Sequence, residues 1–216
     1  MDVPLQSIMC TATLQKVRHL PRVAIFISGT GSNMQALVRE MQPGGKLHKL
    51  CEFGLIISNK KEAQGLKYAA AQNLENICIF SQGKTRESFE TDLLVVLKKY
   101  RIDVILLAGF MRIFSPLFIK HFRGRILNVH PAHTDLYKGA HGYKWAYETK
   151  QQETFITVHL VDDGVDTGRV LSCLPVDLRG TKTLNEVIHR GLAVEHVVYA
   201  EAVRDYFLKG LHLCAE

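Results

Sequence analysis

Short apolar runs rich in Ile, Leu, Val and Phe recur along the chain, and each is followed by a segment with helical character. The first three runs cover residues 22–28, 53–58 and 77–80. Continuous apolar runs of this length are typical of strands that are covered on both faces, as in sheets whose strands alternate with helices. The pattern therefore predicts an α/β fold. The first predicted helix begins near Ser32, the second extends to about Gln72, and the third spans residues 86–100.

The same alternation continues through the second half of the chain. The Ser115-Pro116 pair suits the first turn of a short helix, and Thr183 with Glu186 three residues later predicts a capping box at the start of a long C-terminal helix. We expect a single domain with a doubly wound, mostly parallel, Rossmann-like sheet, whose ligands bind at the carboxyl ends of the strands. The other predicted elements are strands at 103–108, 125–130, 154–161 and 169–178 and a helix at 142–149.

Length and composition set the expected organisation and environment. The 216 residues fit one domain, and no apolar run approaches the roughly 20 residues of a membrane span, so we expect no membrane association. Residues 1–21 lack the apolar segment of a secretory signal, and we predict a loosely ordered extension there, followed by a domain over residues 22–216. The five cysteines form no C-x-x-C pair, which is typical of reduced thiols and indicates a cytoplasmic protein.

The net charge of +6 raises the possibility of nucleic-acid binding. The basic residues are spread along the chain, however, and many stand beside acidic ones, as in Lys60-Lys61-Glu62. No aromatic-interleaved RNA-binding motif accompanies them. We therefore predict no nucleic-acid partner and expect small anionic substrates to use the positive field, although an RNA-binding module remains a weaker alternative.

A glycine-containing loop with the sequence Gly29-Thr-Gly31-Ser-Asn33 joins the first predicted strand to its helix. Free N–H groups at such a helix start can bind phosphate, but the same sequence suits an ordinary turn capped by Ser32 or Asn33. A dinucleotide site is less favoured, because Met34 occupies the third glycine position and no acid ends the second strand. A nucleotide-dependent oxidoreductase nevertheless stays open as an alternative that predicts NAD(P) binding.

Two polar residues stand near the carboxyl end of a predicted apolar strand. Asn128 and His130 are two positions apart, so their side chains project from the same face, where they form either a catalytic pair or a hydrogen-bonded core pair. The acidic loop 162–168 on its own favours a hairpin turn, and it lacks the chelating glutamate of a calcium loop. No histidine or cysteine spacing matches a metal site, so we predict no metal.

Several segments together resemble the formyltransferase family. The matching segments read VAIFISGTGSN, ISNKKEAQGL, LLAGFMRIFSP, GRILNVHP, TVHLVDDGVDTG and AVEH, and they extend over roughly residues 22–209. The resemblance implies transfer of a formyl group from 10-formyltetrahydrofolate to the amine of glycinamide ribonucleotide, in purine biosynthesis. A sugar N-formyltransferase with the same donor is the alternative. Residues 132–138 depart from the Ser-Leu-Leu-Pro pattern that is common in the family.

The resemblance also implies which residues act. Asn128, His130 and Asp166 fall on the family's catalytic trio, and Asp166 would raise the pKa of His130 and so favour an imidazolium that donates to the formyl oxygen. Both substrates would be small molecules bound by a monomer or a homodimer. The acceptor would contact Gly31, Ser32, Asn33, Pro131 and Glu195, and the folate would contact Arg86, Met111, Arg112, Ile113, Phe114 and Asn128.

Overall fold

The computed structural model describes residues 19–211, so most of the predicted N-terminal extension lies outside the described residues. Within them strands and helices alternate, as the sequence predicts. No helix among these residues is long and apolar enough to cross a bilayer. The elements are β1 Arg22–Ile27, α1 Ser32–Met41, β2 Glu52–Ser58, α2 Gln64–Ala71, β3 Asn76–Cys78, α3 Arg86–Lys99, β4 Val104–Leu107, α4 Pro116–His121, β5 Ile126–His130, α5 Gly142–Glu148, β6 Glu153–Leu160, β7 Val170–Asp177 and α6 Leu184–Leu208.

The strands form one seven-stranded sheet in the order β3-β2-β1-β4-β5-β6-β7. The first five strands are parallel, whereas β6 runs antiparallel to β5 and β7 runs antiparallel to β6. The chain moves outward from β1 to β3 and then crosses back to β4 on the other side of β1, so the topological switch point lies between β1 and β4. The prediction of a doubly wound, mostly parallel, single-domain fold is confirmed.

The sheet is covered on both faces, which explains why its strands are almost continuously apolar. Helices α1, α2, α5 and α6 pack on one face, where Ile25 and Leu127 are fully buried. Helices α3 and α4 cover the other face, where Phe26, Ile105 and Ile126 are fully buried. Successive residues of β5 alternate between these two cores, and this alternation decides where its polar side chains point.

The helix starts follow the predicted chemistry with two differences. Ser115 caps α4 ahead of Pro116, and the Thr183 side chain accepts from the Glu186 amide at the start of α6. The Glu186 carboxylate, however, accepts from the amide of Lys182 at 2.6 Å, one residue before the position that a capping box predicts. At α1 the cap is Gly31 and no side chain accepts from the first turn, so the alternative of a turn capped by Ser32 or Asn33 is wrong.

Candidate active site

A cavity of about 700 Å³ opens at the carboxyl ends of β1, β4 and β5. This volume is within the usual range of small-molecule sites, and its place beside the switch point is where a doubly wound sheet binds ligands. The lining of this cavity therefore shows which of the predicted site residues lie close together. Its lining includes Gly31, Ser32, Asn33, Met111, Arg112, Ile113, Phe114, Asn128, His130, Pro131, Asp166 and Glu195, but not Arg86.

Strand β5 supplies Asn128 and His130. Ile126 belongs to the core beneath α3 and α4, so Asn128 and His130, two and four positions later, face the same side of the sheet. His130 is 3% exposed, which means that its polar ring is almost completely removed from water. Such a ring requires partners.

Asp166 reaches these side chains from the loop between β6 and β7. Its carboxylate Oδ2 lies 3.5 Å from His130 Nδ1, and its Oδ1 lies 3.4 Å from Asn128 Nδ2 and 3.3 Å from His159 Nε2. The amide of Gly139 donates to Oδ2 at 2.8 Å. The backbone of Asp166 has a φ of +50°, a left-handed conformation that few residue types other than Gly, Asn and Asp adopt readily. The loop thus folds back over β5 instead of forming a plain hairpin turn.

The surroundings keep Asp166 ionised. Burial alone would raise the pKa of its carboxyl, but the contact with His159, the Gly139 amide and the charge of His130 together hold that pKa below 3.8. A carboxylate that accepts several hydrogen bonds is stabilised in its charged form. Asp166 is therefore an anion at neutral pH.

The protonation of His130 differs from the expectation. Burial lowers its pKa below 6.5 and outweighs the opposing effects of the Asp166 charge and the Tyr137 carbonyl, while the charge of His159 lowers it further. The prediction that His130 has a raised pKa and is an imidazolium at rest is wrong, because it considered the nearby carboxylate but not the loss of solvation on burial. At neutral pH the neutral ring is the favoured form.

The two nitrogens of His130 face different oxygens. Nε2 lies 2.9 Å from the carbonyl oxygen of Tyr137, whereas Nδ1 faces Asp166. The shorter contact favours the tautomer in which Nε2–H donates to Tyr137, which leaves Nδ1 without a proton. A neutral ring satisfies only one of the two oxygens, and a second proton on Nδ1 would satisfy both. Nδ1 is therefore placed to receive a proton.

The start of α1 forms another wall of the cavity. Gly31 has a φ of +76°, and a Cβ at this position would lie 2.8 Å from Met34 Cε and 3.1 Å from Gly65 Cα. A side chain is thus excluded both by conformation and by the neighbouring backbone. Because no side chain caps α1, the first N–H groups of this ten-residue helix stay open for an anion.

Asn33 and Glu195 meet beside this helix start. The Asn33 amide donates to Glu195 Oε2 at 2.7 Å, and the Asn33 Oδ1 atom is buried without a hydrogen-bond partner. Burial raises the pKa of Glu195, although the Asn33 hydrogen bond opposes that rise. The Tyr143 hydroxyl is also buried, and it lies outside hydrogen-bond geometry. Burial is the main cause of its raised pKa, and the nearby Glu195 carboxylate raises that pKa further. Polar groups at this end of the cavity are left for a ligand to satisfy.

The segment after β4 forms the opposite wall. Met111 and Ile113 line the cavity while 57% and 56% exposed, which core packing does not explain. Phe114 is buried and stacks on Phe118 at 4.4 Å between ring centroids, so packing accounts for most of its environment. The Arg112 guanidinium lies 4.8 Å from the ring centroid of Phe89. Arg86 stands exposed at the start of α3, outside the cavity lining.

Three contributors to the site were not predicted from the sequence. His159, the amide of Gly139 and the carbonyl of Tyr137 all contact the trio. His159 pairs with Asn128 across the antiparallel β5–β6 register, a signal that would require knowing that register in advance. Among residues 19–211, no group of three or more His, Cys, Asp or Glu side chains has an arrangement that could hold a metal ion.

Comparisons with known proteins agree with the fold and the motifs. A sequence model of the formyl transferase family matches residues 21–203. Phosphoribosylglycinamide formyltransferase of Escherichia coli (strain K12) is 34% identical over 179 residues, which cover 82% of this chain and 82% of that protein. The crystal structure of phosphoribosylglycinamide formyltransferase from Brucella melitensis matches with a TM-score of 0.79 at 35% identity, covering 88% of this chain and 96% of that one.

A longer relative contains the same region. Trifunctional purine biosynthetic protein adenosine-3 of Chironomus tentans is 34% identical over 198 residues, which are 90% of this chain but 14% of that protein. This chain therefore spans about one seventh of the trifunctional relative. The family match over most of the chain confirms the resemblance seen in the motifs: the chain belongs to the formyl transferase family.

Proposed function

We propose that this chain transfers a formyl group from 10-formyltetrahydrofolate to the primary amine of glycinamide ribonucleotide, a step of purine biosynthesis. The observation that carries the proposal is the convergence of Asn128, His130 and Asp166 in a cavity that also holds an uncapped helix start. The relatives from Escherichia coli and Brucella melitensis are phosphoribosylglycinamide formyltransferases, which supports the same acceptor.

The acceptor is proposed to lie between α1 and Glu195. Its phosphate would accept from the open N–H groups of residues 31–33, with the Ser32 hydroxyl available as a further donor. Pro131 and Glu195 also line the cavity, and the Glu195 carboxylate is a suitable acceptor for an amine N–H. The unpartnered Asn33 Oδ1 would then gain a donor from the ligand.

The folate is proposed to lie against residues 111–114. Met111 and Ile113 offer exposed apolar surface to a planar heterocycle, and the backbone beside them offers hydrogen-bonding groups for its polar edge. The cavity volume fits a group of this size. Arg112 and Phe114 complete this wall in the proposal, and Asn128 lies at its inner end. Arg86 would contact only a part of the donor that extends beyond the cavity, and its role stays a prediction.

Asn128 is the proposed donor to the formyl oxygen. Its contacts with Asp166 and His159 are long, at 3.4 and 3.3 Å, so a shorter hydrogen bond to an oxygen that gains negative charge would replace them favourably. Loss of one such donor typically costs about 10²–10³ in turnover.

His130 and Asp166 are the proposed proton carriers. The attacking amine must lose a proton and the folate nitrogen must gain one, so the site needs a group that takes up a proton and returns it. Nδ1 of the neutral His130 ring takes up this proton, because Asp166 stabilises the cation that results. The same imidazolium then returns its proton to the leaving nitrogen. No covalent bond to the protein is needed.

The cytoplasm is the proposed location, and the free thiols of Cys51, Cys78 and Cys173 are compatible with a reducing compartment. A monomer or a homodimer without nucleic-acid partners is the proposed assembly.

An acceptor competition tests the proposal. The protein is incubated with 10-formyltetrahydrofolate and either glycinamide ribonucleotide, a sugar-nucleotide amine or water, and the formylated product is identified by mass spectrometry. Formylation of glycinamide ribonucleotide at a rate well above both alternatives is expected. Preferred formylation of the sugar amine would instead favour the sugar-modifying alternative.

A further inference from the structure

A buried polar cluster outside the catalytic trio connects the phosphate loop to the proposed donor wall. It consists of Ser28, Asn59 and Ser81, which are 6%, 4% and 7% exposed and follow the ends of β1, β2 and β3. Asn59 belongs to the ISNKKEAQGL motif, which has no role in the proposed reaction. Buried polar side chains cost free energy unless they are hydrogen-bonded, so their arrangement requires a reason.

The hydrogen bonds of the cluster lead to Met111. The Ser28 hydroxyl lies 2.6 Å from Asn59 Oδ1, and the Met111 amide donates to Ser28 Oγ at 2.9 Å. The Asn59 side-chain amide donates to Ser81 Oγ at 3.3 Å. The Ser81 carbonyl in turn accepts from the Arg112 guanidinium at 3.3 Å. The network thus returns to the residue that follows Met111.

The direction of each bond follows from the number of hydrogens available. A serine hydroxyl has one hydrogen, and Ser28 gives it to Asn59 because Oδ1 can only accept. The lone pairs of Ser28 Oγ are then left to accept from the Met111 amide. Asn59 is held in this orientation because its amide nitrogen donates to Ser81. Asn59 therefore sets which way the Ser28 hydroxyl points.

These hydrogen bonds lie where the pairing of β1 with β4 ends. The β1–β4 pairing ends where the Ala108 amide donates to Phe26, and the Ser28 amide then donates to the Gly109 carbonyl at 3.1 Å. Gly109 has a φ of +78°, so the chain turns away from the sheet at this residue. The Ser28 hydroxyl supplies the next acceptor, and it extends the β1–β4 contact by one more hydrogen bond into residues 111–114.

We propose that Ser28, oriented by Asn59, is a positioning residue that holds residues 111–114 in the conformation that binds the formyl donor. This inference rests on the proposed function, in which those residues contact the folate. Ser28 itself touches neither reacting atom in this account. Its loss should weaken donor binding selectively, because the acceptor side is held by α1 and Glu195 through separate contacts.

The test compares Ser28→Ala with Ser58→Ala. Both serines are buried. Ser58 is the last residue of β2, and Ser28 follows the last residue of β1, the parallel neighbour of β2, but the Ser58 hydroxyl bonds only to the backbone of Lys60. Donor binding is measured by calorimetry with 10-formyltetrahydrofolate in the absence of amine, and KM is measured for each substrate. We expect Ser28→Ala to raise the donor Kd about tenfold, since the partly buried Met111 amide loses its acceptor. The acceptor KM should change less than about twofold, and Ser58→Ala should leave both values near those of the wild type.

Asn59→Leu provides a second variant, because it removes the group that orients Ser28 while preserving volume. The same selective loss of donor affinity is expected. Unchanged donor affinity in folded Ser28→Ala or Asn59→Leu protein would overturn the inference, and so would an equal loss of donor and acceptor binding. Wild-type protein is assayed first: if it transfers no formyl group, the proposed function fails, whereas an active wild type with an unaffected Ser28→Ala variant refutes the positioning role alone.

Discussion

The Asp166 carboxylate lies 3.5 Å from Nδ1 of His130. The contact depends on a left-handed residue in the loop after β6 and on the Gly139 amide, which donates to the same carboxylate oxygen. A buried imidazole beside an ionised carboxylate can accept a proton that it does not hold at rest. The pair, with Asn128 beside it, therefore acts as one catalytic unit in this account.

Asp166→Asn should lower kcat by about 10²–10⁴, the usual contribution of a positioned proton-transfer group. The substitution preserves the shape of the side chain but removes the charge that stabilises the His130 imidazolium. His130→Ala should have an effect of similar size. Steady-state turnover with both substrates measures the change, and circular dichroism checks the fold.

Asp163→Asn is the matched control for Asp166→Asn. Asp163 lies in the same loop but is exposed and outside the cavity lining. Its turnover should stay near that of the wild type. An equal loss in both variants would mean that the charge of the loop matters, and the specific contact with His130 would lose its support.

The pH dependence of activity should show that His130 acts as a neutral base. Because burial holds the pKa of His130 below 6.5, its Nδ1 stays free of protons from neutral pH down to that lowered value. The ratio kcat/KM for the folate donor, measured with saturating amine acceptor so that protonation of the free amine does not contribute, should be level near neutral pH and fall only as the pH drops below 6.5. An acidic limb centred above 6.5 under these conditions would show instead that His130 is held as an imidazolium.

The free energy of unfolding should depend on pH through His130 and Asp166. The folded-state pKa of His130 lies below its unfolded value of 6.5, so this group's contribution is fully present above pH 6.5 and is lost as the pH falls through the lowered pKa. The contribution of Asp166 is present above pH 3.8 and is lost below it. Urea unfolding between pH 7.5 and pH 4 should show the first loss in the wild type. His130→Gln should show a weaker dependence in that window, and an unchanged dependence would contradict the assignment.

Asn33→Ala should weaken acceptor binding while sparing the donor. It removes the 2.7 Å hydrogen bond to Glu195, whose pKa is already raised by burial and would rise further. A protonated Glu195 would bind an amine less well. We expect the KM of glycinamide ribonucleotide to rise about tenfold, as expected for one lost hydrogen bond to a buried charged group. A donor KM that rises by the same factor would argue against a separate acceptor side.

Tyr199→Phe should destabilise the sheet beneath the site. The Tyr199 hydroxyl is fully buried and lies 3.1 Å from the carbonyl of Leu107, the last residue of β4, and 3.0 Å from the carbonyl of Leu127 in β5. Leaving these carbonyls without their donor should cost about 1–3 kcal/mol in the free energy of unfolding. Urea denaturation measures the loss. Tyr147→Phe, at an exposed tyrosine, is the control that should change stability by less than about 0.5 kcal/mol.

The fold was predictable because local patterns determine most of it. The apolar runs lie within one or two residues of the observed strands at both ends, and the largest difference is at the run 77–80, where the strand is Asn76–Cys78. The two-residue spacing of Asn128 and His130 on β5 likewise placed both side chains on one face. The position of Asp166 was not predictable from local pattern, because it depends on a long loop that folds over a strand distant in sequence.

The protonation of His130 and the contribution of His159 were also beyond the sequence. Burial of a ring depends on every element that packs around it, and the pairing of His159 with Asn128 depends on the β5–β6 register. The support that Tyr137 gives to His130 comes from a backbone carbonyl, for which side-chain identity offers no signal. The sequence therefore predicted the residue types of the site better than their charge states.

The most direct test of the account is formyl transfer by the wild-type protein and by Asp166→Asn under identical conditions, with glycinamide ribonucleotide and 10-formyltetrahydrofolate as substrates. Formylated glycinamide ribonucleotide is expected from the wild type, and a rate at least about 10²-fold lower is expected from the variant. Absence of transfer by folded wild-type protein with a verified donor, or equal rates for the two proteins, would contradict it.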